Sequence, residues 1–282
     1  MDQWLGIYWG VLFGDLMAAG WTTRRSPERS LVYSLYQPNF LAAATLPAWG
    51  RHSLALAHQL QAQAPIPRVD VGVDVVMDQR SLAQAISYAL PLMLFYHDDL
   101  PQFDQQVCQV LGVSASDKVS QDERVVRVCD LAQHLARALR HRGYSMEPWT
   151  MSGADAGDAG AIAAAALQTT PYNPALALVR SLYTCDQQGI QDLDTYRSVG
   201  MMVGMLGGAY HGQSAWPSSW YRGIEGTSDR PSSLRQLWGI SSRSDLEDGV
   251  QRLAAAWIGA IAPNPSFESS WAIAAAQTLQ PR

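Results

Sequence analysis

A few residues in this sequence have the types and spacing that metal or nucleophilic chemistry needs. His97-Asp98-Asp99 places an imidazole beside two carboxylates, a mixture of groups that can bind a metal ion. The same residues precede Leu100-Pro101, however, and an acidic N-cap followed by an early proline is typical of a helix start, which is the interpretation we favour. His52 and His58 do not have the HExxH spacing of a zinc-binding helix, and no acid lies between them.

Nucleophilic and phosphate-binding patterns are weak. Cys108, Cys129 and Cys185 are far apart in the chain and form neither a CxxC pair nor a Cys/His ligand spacing, so we expect free thiols in a reducing compartment. No GxGxxG or GxxxxGK[ST] sequence occurs, so a phosphate-binding loop is not predicted. Asp155 and Asp158 lie in a Gly/Ala-rich stretch and are expected to be solvated.

Composition excludes several classes of protein. The 282 residues are 48% hydrophobic and only 16% charged, which allows a sizeable core and argues against disorder. The net charge of −5 and the scattered basic residues do not fit a nucleic-acid binder. The N-terminus lacks the basic region of a signal peptide, and the apolar run from Gly6 to Trp21 is too short for a membrane span and contains Asp15. We therefore expect a cytoplasmic protein.

Two stripes of small residues are the strongest structural signal in the sequence. They comprise Gly6, Gly10, Gly14 and Ala18 near the N-terminus, and Gly200, Gly204, Gly208 and Gly212 late in the chain. A step of four keeps residues on nearly one face of a helix, where glycine costs about 1 kcal/mol relative to alanine. The close approach of another backbone would explain that cost. We predict that the two helices pack against each other at the centre of the fold.

The rest of the chain is predicted to be helical around these two elements. Expected helices cover 3–20, 31–46, 51–64, 78–97, 100–112, 159–167, 174–184, 194–212, 234–240, 245–261 and 266–279. A further helix is expected to begin at a capping box at Ser120 and to end at Gly143. Pro91 is expected to kink or break the helix over 78–97. Val69–Met77 is expected to be an extended loop or a helix start, and residues 213–233 a long loop. In that loop Trp216 and Trp220 are either core residues or a surface patch. The fold class is all-α, with a single domain over 1–282.

Three segments of the chain resemble the ADP-ribosylglycohydrolase family. GIYWGVLFGDLMAAG, with Gly14-Asp15, is similar to the opening helix of that family. GMMVGMLGGAYHGQSAWPSSW is similar to its late helix, and AISYALPLMLFYHDD to a helix from the middle of the chain. The resemblance implies a multi-helix orthogonal globule. It also implies a cleft that in active members holds two magnesium ions and cleaves ADP-ribose from a modified side chain.

The late acidic motif of the family has a counterpart here whose alignment is ambiguous. Asp192-Leu193-Asp194-Thr195 resembles the family's Asp-x-Asp-Thr, which would make Asp192, Asp194 and Thr195 magnesium ligands. An ungapped count back from Gly208-Ala209-Tyr210 instead puts Thr195, Arg197 and Ser198 at the ligand positions, where an arginine would repel a cation. In that case Asp194 is the N-cap of the following helix.

The early acidic positions of the family are not acidic in this chain. Its early glutamate corresponds to about Thr22, and its early aspartate pair falls near Pro47–His52, where no carboxylate occurs. The expectation is therefore a pseudoenzyme with no cofactor, in which a remnant cleft lined by Asp15, Arg197 and His211 binds a protein partner or a nucleotide-like ligand. A divergent magnesium-dependent hydrolase of ADP-ribosylated substrates is the alternative. A third interpretation is that the likeness reflects convergent helix packing and that the function is unrelated.

Overall fold

The computed structural model describes residues 1–23, 49–62, 81–113, 122–140, 158–225, 234–261 and 272–273. Within them the α-helices are α1 Asp2–Thr23, α2 Trp49–Gln61, α3 Leu82–Phe95, α4 Leu100–Val110, α5 Glu123–Arg140, α6 Ala159–Thr169, α7 Pro174–Gln187, α8 Leu193–His211, α9 Ser218–Glu225 and α10 Arg243–Trp257. A 3-10 turn at Gln213–Ala215 and a π-helical turn at Leu234–Trp238 connect the later helices. The predicted all-α fold is confirmed.

A short antiparallel pairing is the one β element of the described chain. β1 Ala260–Ile261 pairs with β2 Ala272–Ile273, with Ala260 opposite Ile273. The prediction of a helix over 266–279 is therefore wrong at Ala272–Ile273. The predictions for 31–46, for Val69–Met77 and for Ser120 and Gly143 lie outside the described residues.

α1 and α8 pack backbone to backbone at the centre of the fold, as the glycine stripes predict. A Cβ added to Gly10 would overlap the carbonyl oxygen of Gly204, and one added to Gly14 would overlap that of Gly200. Gly6 lies against Gly208 in the same way. Each glycine of the early stripe therefore faces a glycine of the late stripe, and this close approach is the reason that both helices tolerate glycine.

Aromatic side chains from α9 and the preceding turn cover α1. The Trp216 indole donates its N–H to the carbonyl oxygen of Gly6 at 3.1 Å. Phe13 packs edge-on against Trp220 and Tyr221, with ring centroids 5.3 and 5.2 Å away. Trp216 and Trp220 are only 3% and 0% exposed, so they belong to the core and the surface-patch interpretation is wrong.

Local signals set several helix boundaries as predicted. Asp99 caps α4, and its side chain accepts from the amide of Gln102. Asn173 caps α7 in the same manner, with proline at the first helical position. Pro91 lies inside α3, which continues through it to Phe95, so the predicted break does not occur. The predicted long loop over 213–233 is wrong at α9, whose apolar Trp220 and Ile224 are buried.

One acid predicted to be solvated has a structural role. Asp158 caps α6 by accepting from the amide of Gly160 at 2.8 Å. The same carboxylate accepts a hydrogen bond from the guanidinium of Arg127, a buried residue of α5, at 2.6 Å. This ion pair joins α5 to the start of α6, so the prediction of a solvated Asp158 is wrong. Asp155 lies outside the described residues.

Candidate functional site

A buried ion pair joins the two central helices. Asp15 of α1 and Arg197 of α8 are 6% and 1% exposed. Arg197 donates from Nε to Asp15 Oδ1 at 2.5 Å and from Nη2 to Asp15 Oδ2 at 2.9 Å. This two-point geometry is the strongest form of arginine–carboxylate contact. Asp15 is one residue beyond Gly14, so the close glycine packing of α1 on α8 brings the two charged groups together.

Asp192 is the N-cap of α8. Its carboxylate accepts from the amide of Thr195 at 2.8 Å and from the Thr195 hydroxyl at 2.7 Å. It also accepts from the amide of Asp194 at 3.3 Å. The negative charge lies at the helix N-terminus, where the unpaired amides and the helix dipole stabilise it. The cap of α8 is therefore Asp192, and the interpretation of Asp194 as the cap is wrong by two residues.

Asp194 instead connects α8 to the start of α3. One carboxylate oxygen accepts from the hydroxyl of Ser81, and the other accepts from the amide of Leu82 at 2.9 Å. Ser81 is the N-cap of α3 and accepts from the amide of Gln84 with the same hydroxyl oxygen. Asp194 thus extends the cap of a second helix from a position 113 residues away along the chain.

The electrostatic surroundings of Asp194 oppose its ionisation. Burial raises the pKa of the carboxyl group above its ordinary value of 3.8, and the charge of Asp192 raises it further. Hydrogen bonds from Ser81 and the amide of Leu82 favour the charged form, as does the nearby Arg197, but burial is the larger effect. The protonated form of Asp194 is therefore favoured over a wider pH range than in an exposed carboxyl group.

The three residues expected to line one cleft do not lie together. Asp15 and Arg197 contact each other, but His211 is at the far end of α8, about 21 Å along the helix axis from Arg197 at the usual rise per residue. The His211 ring nitrogen Nε2 is 2.6 Å from the carbonyl oxygen of Pro171, which can only accept, so Nε2 donates. His211 thus ties the end of α8 to the turn before α7.

The early positions that the sequence resemblance matches to family acids make structural contacts in this fold. Thr22 donates its hydroxyl to the carbonyl oxygen of Ala19 at 3.0 Å, within α1. Gly50, in the first turn of α2, lies directly against the indole ring of Trp238. Arg51 extends to the carbonyl oxygen of Arg235 at 3.4 Å. The start of α2 therefore connects to the π-helical turn.

Two polar residues with contacts to α1 or α8, Ser81 and Asp186, were not singled out from the sequence. Ser81 could have been recognised as a cap, because Ser81 and Gln84 precede an apolar run with the spacing of a capping box. Asp186, near the end of α7, accepts from the Trp21 indole at 2.7 Å and from the Tyr196 hydroxyl at 2.5 Å. No local signal identifies Asp186, since both donors are brought to it by the packing of other helices.

No protein-family model matches the chain, and no curated protein matches it. Among the described residues, no group of three or more histidine, cysteine, aspartate or glutamate side chains is placed to hold a metal ion. None of the helices in these described parts of the chain has the length and apolarity that a membrane crossing needs. The resemblance to ADP-ribosylglycohydrolases therefore rests on the sequence segments quoted above.

Proposed function

We propose that this protein is a catalytically degenerate relative of the ADP-ribosylglycohydrolases that acts as a binding or interaction module. It would hold a protein partner or a nucleotide-like ligand without magnesium chemistry. The observation that carries the proposal is the buried contact between Asp15 and Arg197. At the centre of the α1–α8 interface the chain supplies its own cation to a buried carboxylate, and a metal ion has no charge to neutralise there.

The two acids that resemble magnesium ligands also have structural roles, which supports the same proposal. Asp192 satisfies the first amides of α8, and Asp194 satisfies the start of α3. Coordination of a metal by these oxygens would compete with those contacts and leave helix-terminal amides without their partners. The carboxylates are therefore explained by the fold alone.

One observation favours the alternative, a divergent magnesium-dependent hydrolase. Asp192 and Asp194 both lie at the start of α8. Burial is the main reason that the pKa of Asp194 is raised, and the charge of Asp192 adds to it, so a divalent cation between the two carboxylates would offset both effects. Asp192, Asp194 and Thr195 would then be the ligands, and the reaction would be cleavage of an N- or O-glycosidic bond in ADP-ribosylated substrates.

We propose that the protein is located in the cytoplasm. Cys108, Cys129 and Cys185 are all free thiols, and Cys108 and Cys185 are buried. Burial raises the pKa of each of these three thiols above its ordinary value, which keeps them protonated and weakly reactive. Unpaired, protonated cysteines fit a reducing compartment.

Calorimetric titration with Mg²⁺, in the presence and absence of ADP-ribose, separates the two functions. The proposal expects no magnesium isotherm in the micromolar range, and the same flat trace from an Asp192→Ala/Asp194→Ala double variant. Heat from ADP-ribose without metal would support the nucleotide-like ligand, and a pull-down from the source cell would identify a protein partner. Micromolar magnesium binding that the double variant abolishes would overturn the proposal in favour of the hydrolase.

A further inference from the structure

An imidazole packs against two indole rings where the N-terminus of α1 meets the C-terminus of α10. The ring centroid of His97 is 4.7 Å from that of Trp257 and 6.0 Å from that of Trp4. The two indoles are themselves 5.8 Å apart. His97 belongs to the short turn between α3 and α4 and is only 9% exposed. The three rings therefore form one contact, which we call the Trp4–His97–Trp257 clamp.

A hydrogen bond fixes the tautomer of the neutral His97 ring. The Nδ1 atom of His97 lies 2.7 Å from the carbonyl oxygen of Leu94. A carbonyl oxygen can only accept, so Nδ1 carries the hydrogen and Nε2 of the neutral ring has none. Protonation would add a proton at Nε2 and place a positive charge on a ring that is only 9% exposed.

Two charged groups lie near His97. Asp98, in the same turn, accepts from the Trp257 indole at 3.2 Å, and Arg140, at the end of α5, donates to the His97 carbonyl oxygen at 3.3 Å. Burial lowers the pKa of His97 below its ordinary value of 6.5, and Arg140 acts in the same direction. The Leu94 carbonyl and Asp98 act in the opposite direction, as does the attraction of indoles for a cation, but burial dominates.

We propose that the Trp4–His97–Trp257 clamp is an acid-sensitive latch that holds the end of α10 on α1 when His97 is neutral and releases it when His97 is protonated. Trp257 is the last residue of α10, and β1 follows three residues later, so the release is local. Leu246, Val250 and Leu253 keep the rest of α10 buried. Release would expose Trp4 and Trp257 beside Met1 and Ile258, which are already 55% and 48% exposed.

The released state therefore carries an apolar surface that the neutral protein covers. Met1 lies three positions before Trp4, and Ile258 directly follows Trp257. Because the Trp4 and Trp257 rings are in contact, the four residues belong to the same end of the molecule. The latch would thus link the availability of that surface to pH.

Fluorine NMR of protein labelled with fluorotryptophan tests this latch. The chain has 10 tryptophans, and Trp4→Phe and Trp257→Phe variants assign the two relevant signals. Between about pH 8 and about pH 5, both signals should shift together with a midpoint below the ordinary histidine pKa. The solvent isotope shift of Trp257 should increase in the same transition, because the indole becomes accessible to water.

His97→Phe keeps a ring in the clamp but cannot titrate, so the pH-dependent shifts of the Trp4 and Trp257 signals should disappear. His97→Gln serves the same purpose if the phenylalanine variant does not fold. His58→Gln is the matched control, since His58 is an exposed histidine of α2, and it should keep the transition. Signals that titrate in the His97 variants as in the original chain would overturn the proposal. A shift of the signals with no change in the solvent isotope effect would also overturn it, because His97 would then titrate without release.

Discussion

Asp15 and Arg197 neutralise each other inside the α1–α8 interface, so the loss of either side chain leaves the other as an uncompensated buried charge. Arg197→Met should lower the free energy of unfolding by about 3–5 kcal/mol, the usual cost of breaking a buried pair from one side. Urea denaturation followed by circular dichroism measures this change.

A double variant tests whether the unpaired charge, rather than altered packing, causes this loss of stability. Asp15→Leu combined with Arg197→Met removes both charges and should recover most of the lost stability, since apolar residues of similar volume commonly replace buried ion pairs without loss. If the double variant is as unstable as the sum of the two single variants, shape and packing at these positions matter more than charge.

Asp194 should make the protein less stable as the pH rises through the acidic range. Its pKa is higher in the folded chain than the ordinary value of 3.8, so the folded state binds the proton more tightly than the unfolded state. This contribution is fully present below pH 3.8 and is lost as the pH rises through the folded-state pKa. Relative to Asp194→Asn, the original chain should lose stability over that window in urea denaturation at a series of pH values. A difference that does not change with pH would contradict the prediction.

At the scale of helices, the glycine contact between α1 and α8 determines which substitutions the fold accepts. Gly204→Ala would place a methyl group on the carbonyl oxygen of Gly10. Because both partners are backbone, the helices must move apart, and we expect a loss of about 3 kcal/mol or more in thermal unfolding.

Gly249→Ala is the matched control. Gly249 lies within α10, and an added Cβ there meets nothing within 4 Å. This substitution should raise the free energy of unfolding by about 0.4–1 kcal/mol, because alanine restricts the unfolded chain. Equal effects of the two substitutions would show that glycine is not needed for the α1–α8 contact.

The sequence contains enough information for the helices and for the central pair, but not for most polar contacts. The glycine stripes predict close packing because glycine in a helix interior needs such a reason, and the caps at Asp99 and Asn173 are local signals. α9 was missed because its serine-, proline- and tryptophan-rich surroundings are typical of a loop.

The contacts of the candidate site depend on distant partners. Asp15 and Arg197 are 182 positions apart, and Ser81 and Asp194 are 113 positions apart. A single sequence shows that these residues are polar and in apolar helices, yet it does not indicate which of them meet. That pairing is decided by how α1, α3 and α8 pack, so it became visible only in the folded structure.

For the whole molecule, the α1–α8 pair predicts that the early and late parts of the chain cannot fold separately. Trp4 to Trp21 of α1 are buried throughout, and α8 supplies the surface that covers one side of them. Fragments 1–150 and 151–282, expressed apart, should lack cooperative thermal unfolding, and co-expression should restore it in a complex. The cut lies outside the described helices. Cooperative unfolding of fragment 151–282 alone, at the melting temperature of the intact chain, would contradict the single-domain prediction.

The contact between α1 and α8 also affects how the chain folds during its synthesis on the ribosome. About 170 residues separate the end of α1 at Thr23 from the start of α8 at Leu193. At roughly 5–20 residues per second, a ribosome needs roughly 10–30 seconds to add them. During that time α1, one of the most apolar segments of the chain, has left the ribosome without the helix that covers its glycine face. We therefore expect chaperones to bind the nascent chain at α1 until α8 emerges.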